Sequence, residues 1–234
     1  MPFSKLDMQK ELFNFLSQFG KNIACLFGDG TCDWAGEQAI TKSPIWEAAS
    51  EMYDYGVMGA PSGDLGPKAR INGIHAHTEM FLRAIDTPQM KFYLGESDNT
   101  FPRLAMLAVQ SAVARTVLDD GDRYTDFGAH EHGIREGDYG YLTIFEVALL
   151  ANMDERSVRN AANPKLADPL KTEQKGKRSL VSPEAARHWL AGRKGFIPTT
   201  VPEDYVVNRP PDIDVTITEE FLVQLERIAK KTGL

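Results

Sequence analysis

The chain has 234 residues, of which 42% are hydrophobic and 25% charged, with a net charge of −7. That is enough length for one or two domains with a buried core and too much apolar content for wholesale disorder, while no uninterrupted apolar run approaches the ~20 residues of a membrane helix. The charge is uneven: residues 1–141 carry a net −8, residues 142–200 a net +4 and residues 201–234 a net −3, so only the middle block suits a polyanion.

Residues 1–15 carry charges throughout, which argues against a secretory signal. Residues 6–19 read as a helix with Leu6, Leu12, Phe13, Leu16 and Phe19 on one stripe, and Gly20 is expected to stop it. Cys25 and Cys32 are too few for a disulfide framework or a four-cysteine zinc site, which favours free thiols in a reducing cytoplasm. Residues 28–42 are turn-rich and open on Gly28-Asp29-Gly30, which lacks the Lys-Ser/Thr of a phosphate-cradling loop. Ser43-Pro44 reads as an N-cap and first helical position, opening a helix to about Tyr55. Residues 56–73 are rich in glycine and proline and form a loop. Residues 74–86 read as a helix ended by Thr87-Pro88. An alanine-rich helix is expected from Pro102 to Leu118, capped by Asn99 or Thr100 and followed by Gly121. The acidic, glycine-rich residues 119–140 form a connector, so the boundary of a helical domain over 1–121 falls there.

Beyond the connector, over 122–140, a second domain spans 141–200. Thr143 and Glu146 make a capping box, so a helix begins at Ile144. Asn152-Met153 is a short turn, and Asp154 caps a second helix from Glu155 to about Ala162. Pro164 and Pro169 then break the chain. Residues 170–181 suggest a hairpin around Lys175-Gly176. Ser182-Pro183 opens a third helix over 184–191, with Ala185, Ala186, Trp189 and Leu190 inward. Residues 201–234 comprise a proline-rich segment and a closing capping-box helix, Thr216 to Lys231.

Two short helices on a tight turn, followed by a basic hairpin, have a physical consequence. The first helix braces the second, which can enter a DNA major groove about 12 Å wide. Arg suits guanine O6/N7 and Asn suits adenine N6/N7, each through paired hydrogen bonds. Arg156, Ser157, Arg159 and Asn160 are therefore the candidate readers. Lys165, Lys171, Lys175, Lys177 and Arg178 are the candidate holders of the phosphate backbone.

Residues 141–190 resemble a winged helix-turn-helix of the mercury-regulator and phage-excisionase type. The matching parts are Leu142-Thr143-x-x-Glu146-Val147-Ala148, then Asp154-Glu155-Arg156-Ser157-Val158-Arg159, then the wing, then Ser182-Pro183-Glu184-Ala185-x-x-x-Trp189-Leu190. The resemblance implies a mainly α fold with a small β-hairpin wing, and a recognition helix and wing that hold double-stranded DNA from a homodimer. It implies a transcriptional regulator that needs no cofactor and catalyses nothing.

Two further features suggest alternatives. His75-x-His77 and His130-x-His132 present paired imidazoles, which suit zinc only where the backbone is extended. They point to a metal-binding enzyme or sensor; a protein-only adaptor is the other alternative. In the acidic half, Trp46, Met52, Tyr53, Tyr55 and Met58 are candidate walls of a pocket for a small-molecule effector.

Overall fold

A computed structural model describes residues 3–27, 36–62, 65–69, 73–94, 101–123 and 134–206. The Gly28-Asp29-Gly30 turn, Cys32, His130, His132, most of the 122–140 connector and the 216–231 helix lie outside the described residues. Among those described, the fold is mainly helical with one three-stranded antiparallel sheet.

Among the described residues, six helices make the first half: α1 (Lys5–Phe27), α2 (Glu37–Thr41), α3 (Pro44–Gly56), α4 (Ile74–Ile85), α5 (Pro88–Leu94) and α6 (Arg103–Asp120). Helix α3 starts as its sequence dictates, with the Ser43 hydroxyl accepting from Trp46 N–H and Pro44 in the first turn. Two expectations are corrected and one is extended. Gly20 does not stop α1, which runs on to Phe27. A mid-helix glycine costs up to about 1 kcal/mol, but Gly20 is itself buried and the same stretch seats Phe15 and Phe19 against Phe81. Thr87-Pro88 ends α4 and also starts α5, because the Thr87 hydroxyl accepts from Met90 N–H just as Ser43 does for α3. The short α2 falls in the stretch read as turns.

Helix α6 is the spine. It starts on Pro102 without a side-chain cap of its own; a carboxylate from α1 serves instead, Glu11 accepting from Leu104 N–H at 2.6 Å. Burial pushes the Glu11 carboxyl above its usual range, against the opposing pull of that bond. The helix is buried nearly all round, as expected for one surrounded by other elements. Ala105 to Ala112 pack into a core with Met8, Leu12, Met52, Tyr55 and Leu82. Ala114, Val117 and Leu118 belong to a second core with Leu142, Val147, Val158, Leu170 and Trp189. One helix thus serves both halves. Helix α3 crosses it closely at Gly56, where an added Cβ would sit 2.4 Å from Ala112 N.

The second half runs β1 (Leu142–Thr143), α7 (Ile144–Ala151), α8 (Glu155–Ala161), β2 (Glu173–Lys175), β3 (Arg178–Val181) and α9 (Pro183–Leu190). The sheet order is β1-β3-β2. Leu142 pairs with Val181, and Lys175 pairs with Arg178 across the two-residue turn Gly176-Lys177, one position beyond the expected centre. Gly176 supplies the positive φ of +61° that such a tight hairpin favours. Ser182 caps α9, whose Trp189 and Leu190 are buried.

Residues after α9 return across both halves. Thr200 N–H donates to Gly59 O at 2.9 Å, and Tyr205 OH donates to Pro67 O at 3.3 Å. Between them lies a buried guanidinium: Arg115 donates to Gly56 O, Ile197 O and Thr199 Oγ1 at 3.0, 2.9 and 3.1 Å. Asp119 accepts from Tyr55 OH and Thr199 Oγ1 on the other side. Burial lowers the Arg115 pKa and, with the Asp119 charge, raises that of Tyr55.

Candidate nucleic-acid interface

The geometry of α7 and α8 follows from their caps. Thr143 Oγ1 accepts from Glu146 N–H at 3.1 Å, and Glu146 Oε2 accepts from Thr143 N–H at 2.7 Å. The Glu146 carboxylate is held in turn by Arg123 Nη1 and Nη2 at 2.5 and 2.9 Å, and Arg123 Nη2 also donates to Tyr141 O. Asn152, at φ +52°, turns the chain tightly after α7. Asp154 Oδ1 then caps α8, accepting from Arg156 N–H at 2.9 Å and Ser157 N–H at 3.4 Å.

Helix α8 is anchored through Val158, which is wholly buried. Arg156, Ser157, Arg159 and Asn160 all face solvent. Arg159 is paired with Glu155 one turn back, but its side chain remains 67% exposed. The pairing is a surface one, of a kind worth under about 1 kcal/mol and readily exchanged for another partner.

Strand β3 stands beside this face. A groove of about 740 Å³ lies between them, bordered by Arg159, Lys177, Arg178, Ser179 and Gln110 of α6. A second groove, of about 860 Å³, continues past Arg159 along Ser157, Asn160, Asn163 and Thr172. Arg159 and Ser179 border both, so the candidate readers Ser157, Arg159 and Asn160 meet hairpin residues on one surface.

No family model, characterised protein or solved structure matches this chain. The reading of the surface therefore rests on its own residues.

The structure treats the expected backbone holders differently. Lys165, Lys171, Lys177 and Arg178 are exposed. Lys175 is turned inward at the hairpin: its Nζ lies 4.5 Å from the Tyr141 ring centre, with Asp138 and Glu173 carboxylates at 3.7 and 3.8 Å. Its pKa is raised, first by Tyr141 and then by those charges. Lys175 thus braces the hairpin instead of extending from it. Arg135 takes the outer place, its guanidinium 3.7 Å from where a Gly176 Cβ would stand. It comes from the stretch read as a connector, and nothing in the spacing of the sequence joins it to a turn forty residues away. Gln110, Thr172 and Ser179 were equally hidden, because their place in the grooves depends on packing.

The proline-containing stretch after α8 is held in place. Leu170 N–H donates to Ala161 O at 2.8 Å, and the Asn163 side chain accepts from Lys165 N–H. Arg193 binds Asp168 at 2.9 Å while its guanidinium lies 4.0 Å from the Trp189 ring centre. The stretch leading into the hairpin is thereby tied to α8 and to the segment after α9.

The histidines face different partners. Both lie on α4, where residues two apart are about 200° round the axis. Buried His75 bonds Glu51 through Nε2 at 2.7 Å, and His77 Nδ1 lies 2.6 Å from Gly73 O. Among the described residues no three His, Cys, Asp or Glu side chains are grouped to hold a metal. No described helix is long and apolar enough to cross a membrane.

Proposed function

We propose that residues 141–195 form a winged helix-turn-helix, and that the protein is a sequence-specific DNA-binding regulator acting as a homodimer. The observation that carries this reading is the convergence of Ser157, Arg159 and Asn160 on α8 with Lys177 and Arg178 on the hairpin, around two adjoining grooves, with Arg156 exposed on the same helix. Helix α8 enters the major groove, where Arg and Asn make paired hydrogen bonds to base edges. Lys165, Lys171, Lys177, Arg178 and the newly placed Arg135 hold phosphates and set the register. One module of this size covers a half-site. Two copies on a twofold axis read half-sites separated by one helical turn, about 34–36 Å, or a multiple of it. The acidic remainder of the chain keeps nonspecific affinity low.

Selection of bound fragments from random duplex DNA tests this directly. The expected product is a palindrome whose complex weakens steeply with salt. Five phosphate contacts per module, ten for the dimer on its palindrome, give a slope of log affinity against log salt near −9, at about −0.9 per phosphate. Replacing Lys177 and Arg178 by Ala weakens all duplexes alike and flattens that slope by about four, two per module. No enrichment and no salt-dependent shift of any duplex would overturn the reading.

A further inference from the structure

A separate cleft of about 570 Å³ lies between the amino-terminal helices and the α7–α8 turn. That volume falls in the range of small-molecule sites, roughly 300–1,000 Å³. Val57, Leu104, Leu107, Phe145, Leu149 and Met153 line it, all half-buried, and Met58 and Ile197 stand at its edge 46% and 40% exposed. These walls suit a ligand with a largely apolar body.

The polar end of the cleft has one sign. Asp154 and Glu155 border it, and no Lys, Arg or His does. Both backbone N–H groups that Asp154 caps are taken by Oδ1, so Oδ2 can receive another donor without loss of the cap. Glu155 is the partner of Arg159, which borders the surface described above.

We propose that this cleft binds a small organic cation, an amine or ammonium on an aromatic or branched aliphatic body, with its charge on Asp154 and Glu155. The bound cation competes with Arg159 for the Glu155 carboxylate, so that occupancy alters how Arg159 meets DNA. The coupling rests on the DNA-binding reading; the binding of the cation does not.

Calorimetry on the full chain, without DNA, tests the site. The probes are 2-naphthylmethylammonium and 2-naphthylacetate, which share a ring system and differ in the sign of their charge. The cation is expected to bind at least tenfold more tightly than the anion. The double variant Asp154→Asn, Glu155→Gln keeps an N-cap and reduces that preference to under threefold. Leu107→Trp fills the cleft and abolishes binding of both probes; the double variant, altered only at partly exposed positions, gives an independent result should this core change impair folding. Equal binding of the two probes, no binding of the cation at millimolar concentration, or unchanged binding to Leu107→Trp would overturn the proposal. So would sedimentation showing that Leu107→Trp splits a dimer seated on this cleft. The coupling is then read as a threefold or larger change in DNA affinity on adding the cation, absent in Leu107→Trp. An unchanged DNA affinity with a bound cation overturns the coupling and leaves the site. A chain that binds no DNA at all overturns the function proposed above, while calorimetry still decides the site.

Discussion

The start of α7 and the start of α8 use the same pair of residue types for different ends. At α7, Arg123 meets Glu146 with side chains only 1% and 4% exposed, and further bonds run from Thr143 N–H and to Tyr141 O, while the buried Arg123 Nε has no partner among the described residues. At α8, Arg159 meets Glu155 in the open. A buried ion pair is not easily undone, because removing one partner leaves the other charge buried alone. An exposed pair is weak, screened by salt and free to change partners. The first arrangement suits a latch that fixes α7 to the end of α6. The second suits a guanidinium kept in position for another acceptor.

Breaking the latch is expected to have the largest effect. Arg123→Ala strands the Glu146 carboxylate inside the protein and should cost about 3–5 kcal/mol of stability, read as a lowered urea midpoint. Replacing both partners together, Arg123→Met with Glu146→Leu, should recover much of that loss, because no buried charge is left alone. A loss under about 1 kcal/mol in Arg123→Ala would mean that the pair behaves like the exposed one, and the contrast between the two sites would fail.

On the open side the effects separate. Arg159→Ala should leave stability within about 0.5 kcal/mol while costing about 1–3 kcal/mol in binding to the selected duplex and relaxing one base position. Asp154→Ala, by contrast, removes the cap of α8 and should cost about 1 kcal/mol of stability. A helix whose cap matters to folding but whose arginine matters only to binding is what a reading helix requires. Equal losses of stability in both variants would place Arg159 with the latch.

Glu11 adds a pH test on the acidic half. Its folded carboxyl titrates above the usual range because burial disfavours the charge. The folded state therefore binds a proton that the unfolded state has already released, and this contribution to stability is lost as pH rises between the two values. Glu11→Gln should flatten the pH dependence of the melting temperature in that mildly acidic window. An unchanged profile would mean that the bond to Leu104 N–H cancels the effect of burial.

Much of this was legible in the sequence wherever a local signal has a local cause. Ser43-Pro44, the Thr143/Glu146 box, Asp154 and Ser182-Pro183 each place a hydroxyl or carboxylate beside unpaired N–H groups within four residues, and each begins a helix. Gly121 ends α6 at φ +75° for an equally local reason. What the sequence hid depends on distant partners. Gly20 stays helical because its neighbours pack on Phe81, and α6 borrows its cap from Glu11 on another helix. At the candidate interface the exposed face of α8 was readable from its period. The inward turn of Lys175 and the arrival of Arg135 were not, because both are set by the fold of residues 135–141 beneath the hairpin.

The smallest effect distinguishes the exposed pair most finely. Glu155→Gln removes one side of an i,i+4 contact, worth about 0.3–0.5 kcal/mol to the helix, and a negative charge from the first turn. Stability should therefore fall by about 0.5–1 kcal/mol. Binding to DNA should move the other way. The wild-type complex must withdraw Arg159 from Glu155 and bring a carboxylate close to phosphates; the variant does neither. Affinity should rise two- to threefold at low salt, and the gain should shrink as screening increases. A fall in affinity confined to duplexes with cytosine at one position would show instead that Glu155 accepts a hydrogen bond from cytosine N4. In that case the carboxylate reads a base directly, and its pairing with Arg159 in the free protein orders two readers at once.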